Sequence, residues 1–175
     1  NGAPDNTIFK GQVWSFTVEP YVYPLTNIQA TASLADVDSP AANTINGSGL
    51  NADGQHSVEA TDMWLASPTE EMPIWIQYEF DRIYQLHDMQ VWNYNSQFEV
   101  ILGFGLKDVT LEYSVDGVDW TVFGDVELAK GTALPDYVAN TTIDLSGVAA
   151  KYVRLTMKSN WNMGMIPQYG LSEVQ

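Results

Sequence analysis

Asp108-Val109-Thr110-Leu111-Glu112-Tyr113-Ser114-Val115-Asp116-Gly117-Val118-Asp119-Trp120-Thr121-Val122-Phe123 decides the fold class. Val109, Leu111 and Tyr113 alternate with Asp108, Thr110 and Glu112, the two-residue period of a half-buried strand. Asp116-Gly117 has the residue types of a tight turn, and Trp120 to Phe123 is a second β-prone run, so the stretch predicts a hairpin. Working outward, Ile76, Tyr78 and Phe80 share one face of Trp75-Ile76-Gln77-Tyr78-Glu79-Phe80, Asp81-Arg82 predicts a turn, and Tyr84 to Trp92 predicts another strand. Asn27 to Ser33, Thr141 to Leu145 and Tyr152 to Lys158 read the same way, with Val153, Leu155 and Met157 facing inward. Long helical periodicity and internal repeats are not found. Several short strands in about 150 residues predict an all-β sandwich or jelly roll.

The chain has 175 residues, the size of one domain, and 45% of them are hydrophobic, enough for a real core. Twenty-two carboxylates against seven Lys and Arg give a formal charge of −15. That field repels a phosphate backbone and an anionic bilayer, so neither nucleic acid nor membrane lipid is expected as a partner. With no Cys, disulfides, thiolate catalysis and zinc-thiolate sites are excluded, and stability must come from packing or from a metal held by oxygen. No apolar run approaches the ~20 residues of a membrane span.

Catalytic motifs are missing. Only His56 and His87 could serve as imidazole bases, and no H-E-x-x-H, G-x-S-x-G or P-loop pattern occurs. A glycosidase-type carboxylate pair is not removed by counting, but most carboxylates alternate with apolar residues or lie in turns, where solvation and capping account for them. His87 reads as an outward polar residue. His56 lies in a long aperiodic stretch, Asp36 to Asp62, and is either a ligand contact or a local hydrogen-bonding group. That stretch is too long for an idle loop, and Asn43 to Gly54 is dense in the Asp, Asn, Ser and carbonyl oxygens that calcium requires, about six to eight in number. A solvated turn loop would have the same composition.

Aromatic and amide residues crowd three other turns: Trp92-Asn93-Tyr94-Asn95-Ser96-Gln97-Phe98, Ser159 to Gly164, and Gln168-Tyr169-Gly170. Rings cover the C–H face of a pyranose while Asn and Gln serve hydroxyls as donor and acceptor together. Core packing and turn capping use the same residues, and for Trp92, on a strand, packing is the better reading.

Ala30-Thr31-Ala32-Ser33, Asn43-Thr44-Ile45-Asn46-Gly47 and Met63-Trp64-Leu65-Ala66-Ser67 resemble the opening of a discoidin-like domain. Trp75 to Phe80, Val91 to Asn95, Gly105 to Gly117, Lys151 to Leu155 and Gly170 to Val174 follow in family order. Together they resemble the coagulation factor 5/8 type C family of the galactose-binding-like superfamily, to which the bacterial family 32 carbohydrate-binding modules belong. The resemblance spans residues 27–175. It implies an eight-stranded jelly roll, a structural Ca2+ and a ligand site in loops at one end. The family's metal positions correspond to Asn46, where an Asp is usual, and Glu173, with Asp53 and Thr61 as candidates for the missing ligands. Its sugar contacts carry over to Asn93, Tyr94, Asn95, Trp161, Gln168 and Tyr169, and Phe104 replaces a basic residue that commonly precedes the Gly at 105. Trp64 is expected as a wall of the core.

The implied function is a non-catalytic module that anchors a secreted, multi-modular bacterial protein to a polysaccharide or oligosaccharide, beside covalently linked catalytic or other modules. A discoidin-like adhesion module binding a protein is the alternative, and a small hydrolase a third. Residues 1–26 fall outside the domain. Phe9 to Val18 resembles the last strand of a fibronectin type III-like domain, and its Trp14 and Phe16 require something to pack against.

Overall fold

The computed structural model describes residues 22–175, so the Phe9–Val18 strand reading lies outside the described residues. Nine strands form among them: β1 (Ile28–Ala32), β2 (Trp64–Ala66), β3 (Trp75–Gln85), β4 (Asp88–Asn93), β5 (Asp108–Ser114), β6 (Thr121–Glu127), β7 (Thr141–Asp144), β8 (Ala149–Met157) and β9 (Tyr169–Val174). One helical turn, α1 (Glu99–Leu102), and two 3-10 turns, Ala41–Thr44 and Ala60–Asp62, lie in the loops. The strands make two antiparallel sheets, in the orders β1-β3-β8-β5-β6 and β2-β9-β4-β7. The jelly-roll sandwich is as the alternation predicts, with one strand more than the family's eight.

Inward-facing residues of both sheets make one core. Ile76, Val91, Val109, Leu111, Leu155 and Leu171 are fully buried, and so is Trp64, the expected wall. In β3, Ile76, Tyr78 and Phe80 face in as the alternation requires. The Asp81-Arg82 turn does not form. β3 runs through it with a register irregularity between Glu79 and Tyr84, so the turn falls at Leu86-His87 and the expected Tyr84–Trp92 strand divides there. Asp81 and Arg82 are both exposed, which a strand at the rim of a sheet allows as readily as a turn.

Antiparallel pairing sorts the connections. Residues 67–74, 94–107, 128–140 and 158–168, with the start of the 33–63 loop, gather at one end. The short turns 86–87, 115–120 and 145–148 gather at the other.

The 33–63 loop then turns down the side of the four-stranded sheet. Asn43 Nδ2 ties its two limbs by donating to the carbonyls of Thr61 and Met63. Trp92 and Glu173 face each other across β4 and β9, next to the core pair Val91 and Val174. They therefore lie on the sheet's outer side. The loop covers them: Trp92 Nε1 donates to Gly54 O, and His56 N to Tyr137 O. Trp92 is thus a packing residue, buried under loop and not in the inter-sheet core.

Candidate functional site

Loops at the strand ends have no ladder to satisfy their backbone groups, and buried amides take over. Asn93 Nδ2 donates to the carbonyls of Leu106 and Ala129, both at 2.7 Å, while its Oδ1 accepts from the amides of Tyr94 and Leu106. Asn95 Nδ2 donates to Ser57 O and Leu134 O, and its Oδ1 accepts from Ala133 N. Tyr94 packs so closely on Gly170 that a Cβ there would fall 2.3 Å from the ring. Asn93 and Asn95 are 0% exposed and Tyr94 2%. These three expected sugar contacts are therefore corrected. They staple the 94–107 and 128–140 loops to the 33–63 loop and β9, and they offer a ligand no free surface.

The remaining expected residues are half-buried. Phe104 lies 6.3 Å, ring to ring, from Tyr94, and its carbonyl accepts from Gly170 N. Gln168 Nε2 donates to Ser67 Oγ at 2.8 Å, and Ser67 donates to Asp36 through both its hydroxyl and its amide, at 2.7 and 3.1 Å. Tyr169 begins β9 opposite Ala66 and packs partly on the core. Trp161 donates from its backbone to Gly105 O at 3.1 Å and from Nε1 to Leu128 O, with Lys107 Nζ 5.3 Å from its ring centre. The structure thus joins the Phe104 backbone to Gly170, two residues from Gln168, and holds Trp161 against Gly103 and Gly105 on either side of Phe104. Asp36 and Ser67 complete, with Gln168, a hydrogen-bonded line of oxygens and an amide. Sequence reading passed over both: Asp36 opens the long loop, and Ser67 closes the Met63–Ser67 motif without any local sign that the two meet.

α1 turns Glu99 inward. The carboxylate is fully buried and accepts from the amides of Phe104 and Gly105, each at 3.0 Å, so it fixes the backbone that carries the Phe104 ring. Burial pushes its carboxyl up to about 7 against those bonds. Asn162 donates from its backbone and side chain to Gly103 O and Leu102 O, which pins the 158–168 loop to α1. The outer faces of this pinned pair are apolar: Phe98, Val100, Ile101, Met163, Met165 and Ile166 are all exposed. Phe98, which closes the aromatic and amide turn Trp92–Phe98, thus faces outward on this apolar tip.

The implied calcium can be tested against Glu173. Its carboxylate is 3% exposed, and Oε2 has no hydrogen-bond partner. The backbone of Gly47, next to Asn46, points at it, and burial pushes the carboxyl up to about 7. The contact from Gly47 is an N–H donor, so the orphaned buried carboxylate oxygen is the one feature among the described residues that suits a hard cation. Asn46 itself is exposed and its Oδ1 accepts from Ser48 N. Asp53 and Thr61 are exposed and make no contact with Glu173 among the described residues; the Thr61 carbonyl is taken by Asn43. No three Asp, Glu or His side chains gather among the described residues, so the turn's carbonyl and amide oxygens would supply most of the shell. His56 is fully buried, with Nδ1 at 3.1 Å from Ser57 O, the local bond that was one of its two readings.

A family model described as the F5/8 type C domain matches residues 28–168. No curated protein sequence matches the chain. Among solved structures, CpGH89CBM32-5 from Clostridium perfringens, in complex with GalNAc-β-1,3-galactose, is 17% identical with a TM-score of 0.58, over 85% of this chain and 93% of that one. The family 32 CBM of C. perfringens NanJ, in complex with galactose, is 13% identical with a TM-score of 0.59, over 85% and 91%. A family 89 glycoside hydrolase from the same organism matches at 15% identity and a TM-score of 0.55, over 85% of this chain but only 14% of its own. At these identities the likeness is one of fold.

Proposed function

The chain belongs to the F5/8 type C domain family, and from that premise we propose that it is a carbohydrate-binding module whose site is the Asp36–Ser67–Gln168 line beside Phe104. That line is the observation that carries the reading. A carboxylate, a hydroxyl and an amide in hydrogen-bonded series present acceptors and donors at the spacing of adjacent sugar hydroxyls, and the Phe104 ring covers a pyranose C–H face. The similar structures in complex with galactose and GalNAc-β-1,3-galactose support a neutral galactose- or GalNAc-containing ligand. Asp36 and the net charge of −15 disfavour uronate and sulfate groups. No reacting group is required: the module anchors, raising the local concentration of glycan for linked modules of a secreted bacterial protein. Calcium, held by Glu173 and the turn at 45–48, stiffens the loop that covers Trp92.

Affinity electrophoresis tests this. Retardation in galactan or mucin gels is expected, and Gln168→Ala should weaken it at least tenfold at unchanged melting temperature. No retardation by any galactose-, fucose-, glucose- or uronate-containing polymer would overturn the reading. The six exposed apolar side chains of the α1 and 163–166 tip favour a second reading, adhesion to a protein. Capture of a host surface protein that Ile101→Asp abolishes, with glycan retardation intact, would establish it.

A further inference from the structure

In Asn46-Gly47 a side-chain amide precedes a backbone nitrogen that no Cβ shields. Both residues are exposed, and a Cβ built on Gly47 would meet nothing within 4 Å. Gly47 has a φ of 71°, in the left-handed region. Asn46 Oδ1 accepts from Ser48 N at 2.8 Å. That bond closes a ring through Asn46, Gly47 and Ser48, folds Cγ back over the Gly47 nitrogen and draws electron density from Cγ. Asn46 Nδ2 makes no hydrogen bond among the described residues, so nothing retains it as a leaving group. The Gly47 N–H donates to the Glu173 carboxylate, so its proton has an acceptor in place. We propose that Asn46 is a self-modifying site, at which the Gly47 nitrogen displaces the side-chain amide and the residue becomes an acid.

The bond that forms joins Gly47 N to Asn46 Cγ, and the bond that breaks is Cγ–Nδ2. The Gly47 proton passes to Glu173 and through solvent to Nδ2, which leaves as ammonia. Water then opens the succinimide at either carbonyl and gives aspartate or isoaspartate at position 46. No oxidant or cofactor takes part. The other asparagines show why this one is singled out. Asn51 lies in a similar exposed turn, its Oδ1 accepting from Asp53 N at 3.0 Å, but Ala52 puts a methyl beside the attacking nitrogen and Nδ2 is tied to Gln55 Oε1. Asn43, Asn93, Asn95, Asn160 and Asn162 are buried, and each spends its Nδ2 on backbone carbonyls. The product sets a new carboxylate on the turn that Glu173 holds through Gly47. Isoaspartate also lengthens the backbone by a carbon and opens the ring that Ser48 closes. This inference does not rest on the sugar reading, since Asn46 lies outside the Asp36–Ser67–Gln168 line.

The test is timed incubation of the complete 175-residue chain at neutral pH, followed by peptide mapping with mass spectrometry and an isoaspartyl methyltransferase assay. Position 46 is read separately from Asn1, which also precedes Gly. It should gain the mass of an amide-to-acid exchange at least as fast in the folded chain as in urea, while Asn51 stays unchanged over the same time. A more acidic form should grow in step on anion exchange. Gly47→Ala should slow the conversion roughly tenfold, because its methyl crowds the nitrogen. An Asn46 that persists in the folded chain while the unfolded chain converts would overturn the proposal. So would conversion of Asn51 at the same rate, or conversion of Asn46 that Gly47→Ala leaves unchanged.

Discussion

Asn93→Ala separates a framework role from a ligand-binding one. The wild-type side chain makes four hydrogen bonds at 2.7 to 3.0 Å, in a site with no solvent exposure. Alanine leaves the carbonyls of Leu106 and Ala129 and the amides of Tyr94 and Leu106 without this partner. At about 1 kcal/mol per bond, with an added cost for groups that stay buried and unsatisfied, the loss is about 3–5 kcal/mol. For a domain of this size that is about 10 °C in melting temperature. The assay is urea unfolding followed by tryptophan emission, with the midpoint moving and the slope m kept. A change below about 1 kcal/mol, or a loss of glycan affinity with stability intact, would refute the assignment of Asn93 to the frame.

Gly170→Ala should cost about 1–3 kcal/mol, because its Cβ would meet the Tyr94 ring at 2.3 Å; a melting temperature equal to wild type would contradict that packing. Glu99 and Glu173 both sit at about 7 when folded, against 4.5 ordinarily. The folded chain therefore holds their protons more tightly, and stability falls as pH rises from about 4.5 to 7, by about 3 kcal/mol for each group. Melting in EDTA should show this decline, and a rise from pH 5 to 8 would refute it. Millimolar calcium should raise the melting temperature at pH 8 more than at pH 5, because it binds the ionised Glu173. Glu173→Gln should abolish that calcium effect while raising the EDTA melting temperature at pH 8; a calcium response that survives would place the ion elsewhere.

The sandwich was legible because strand alternation is local. Val109, Leu111 and Val153 show their inward side within a few residues of sequence. Asp81-Arg82 misled for the same reason: turn-forming residue types fit the exposed end of a strand, and only the pairing of β3 with β8 distinguishes the two. The candidate site was half legible. Amides in turns suggest sugar binding, but whether an amide faces water or a carbonyl 13 or 36 residues away is a tertiary fact. Asn93 and Asn95 went to carbonyls, while Gln168 kept a surface. Asp36 and Ser67 are 31 residues apart and meet only once β2 emerges beside the long loop. Glu173 was found through its place in the family motif, and its lone oxygen became visible only with its neighbours.

The most direct test of the central claim is amide chemical-shift mapping during titration with a neutral galactose- or GalNAc-containing oligosaccharide. The account predicts saturable shifts at Asp36, Ser67, Phe104 and Gln168, with the turn end silent. Shifts confined to the turn end, or none with any such sugar, would contradict it.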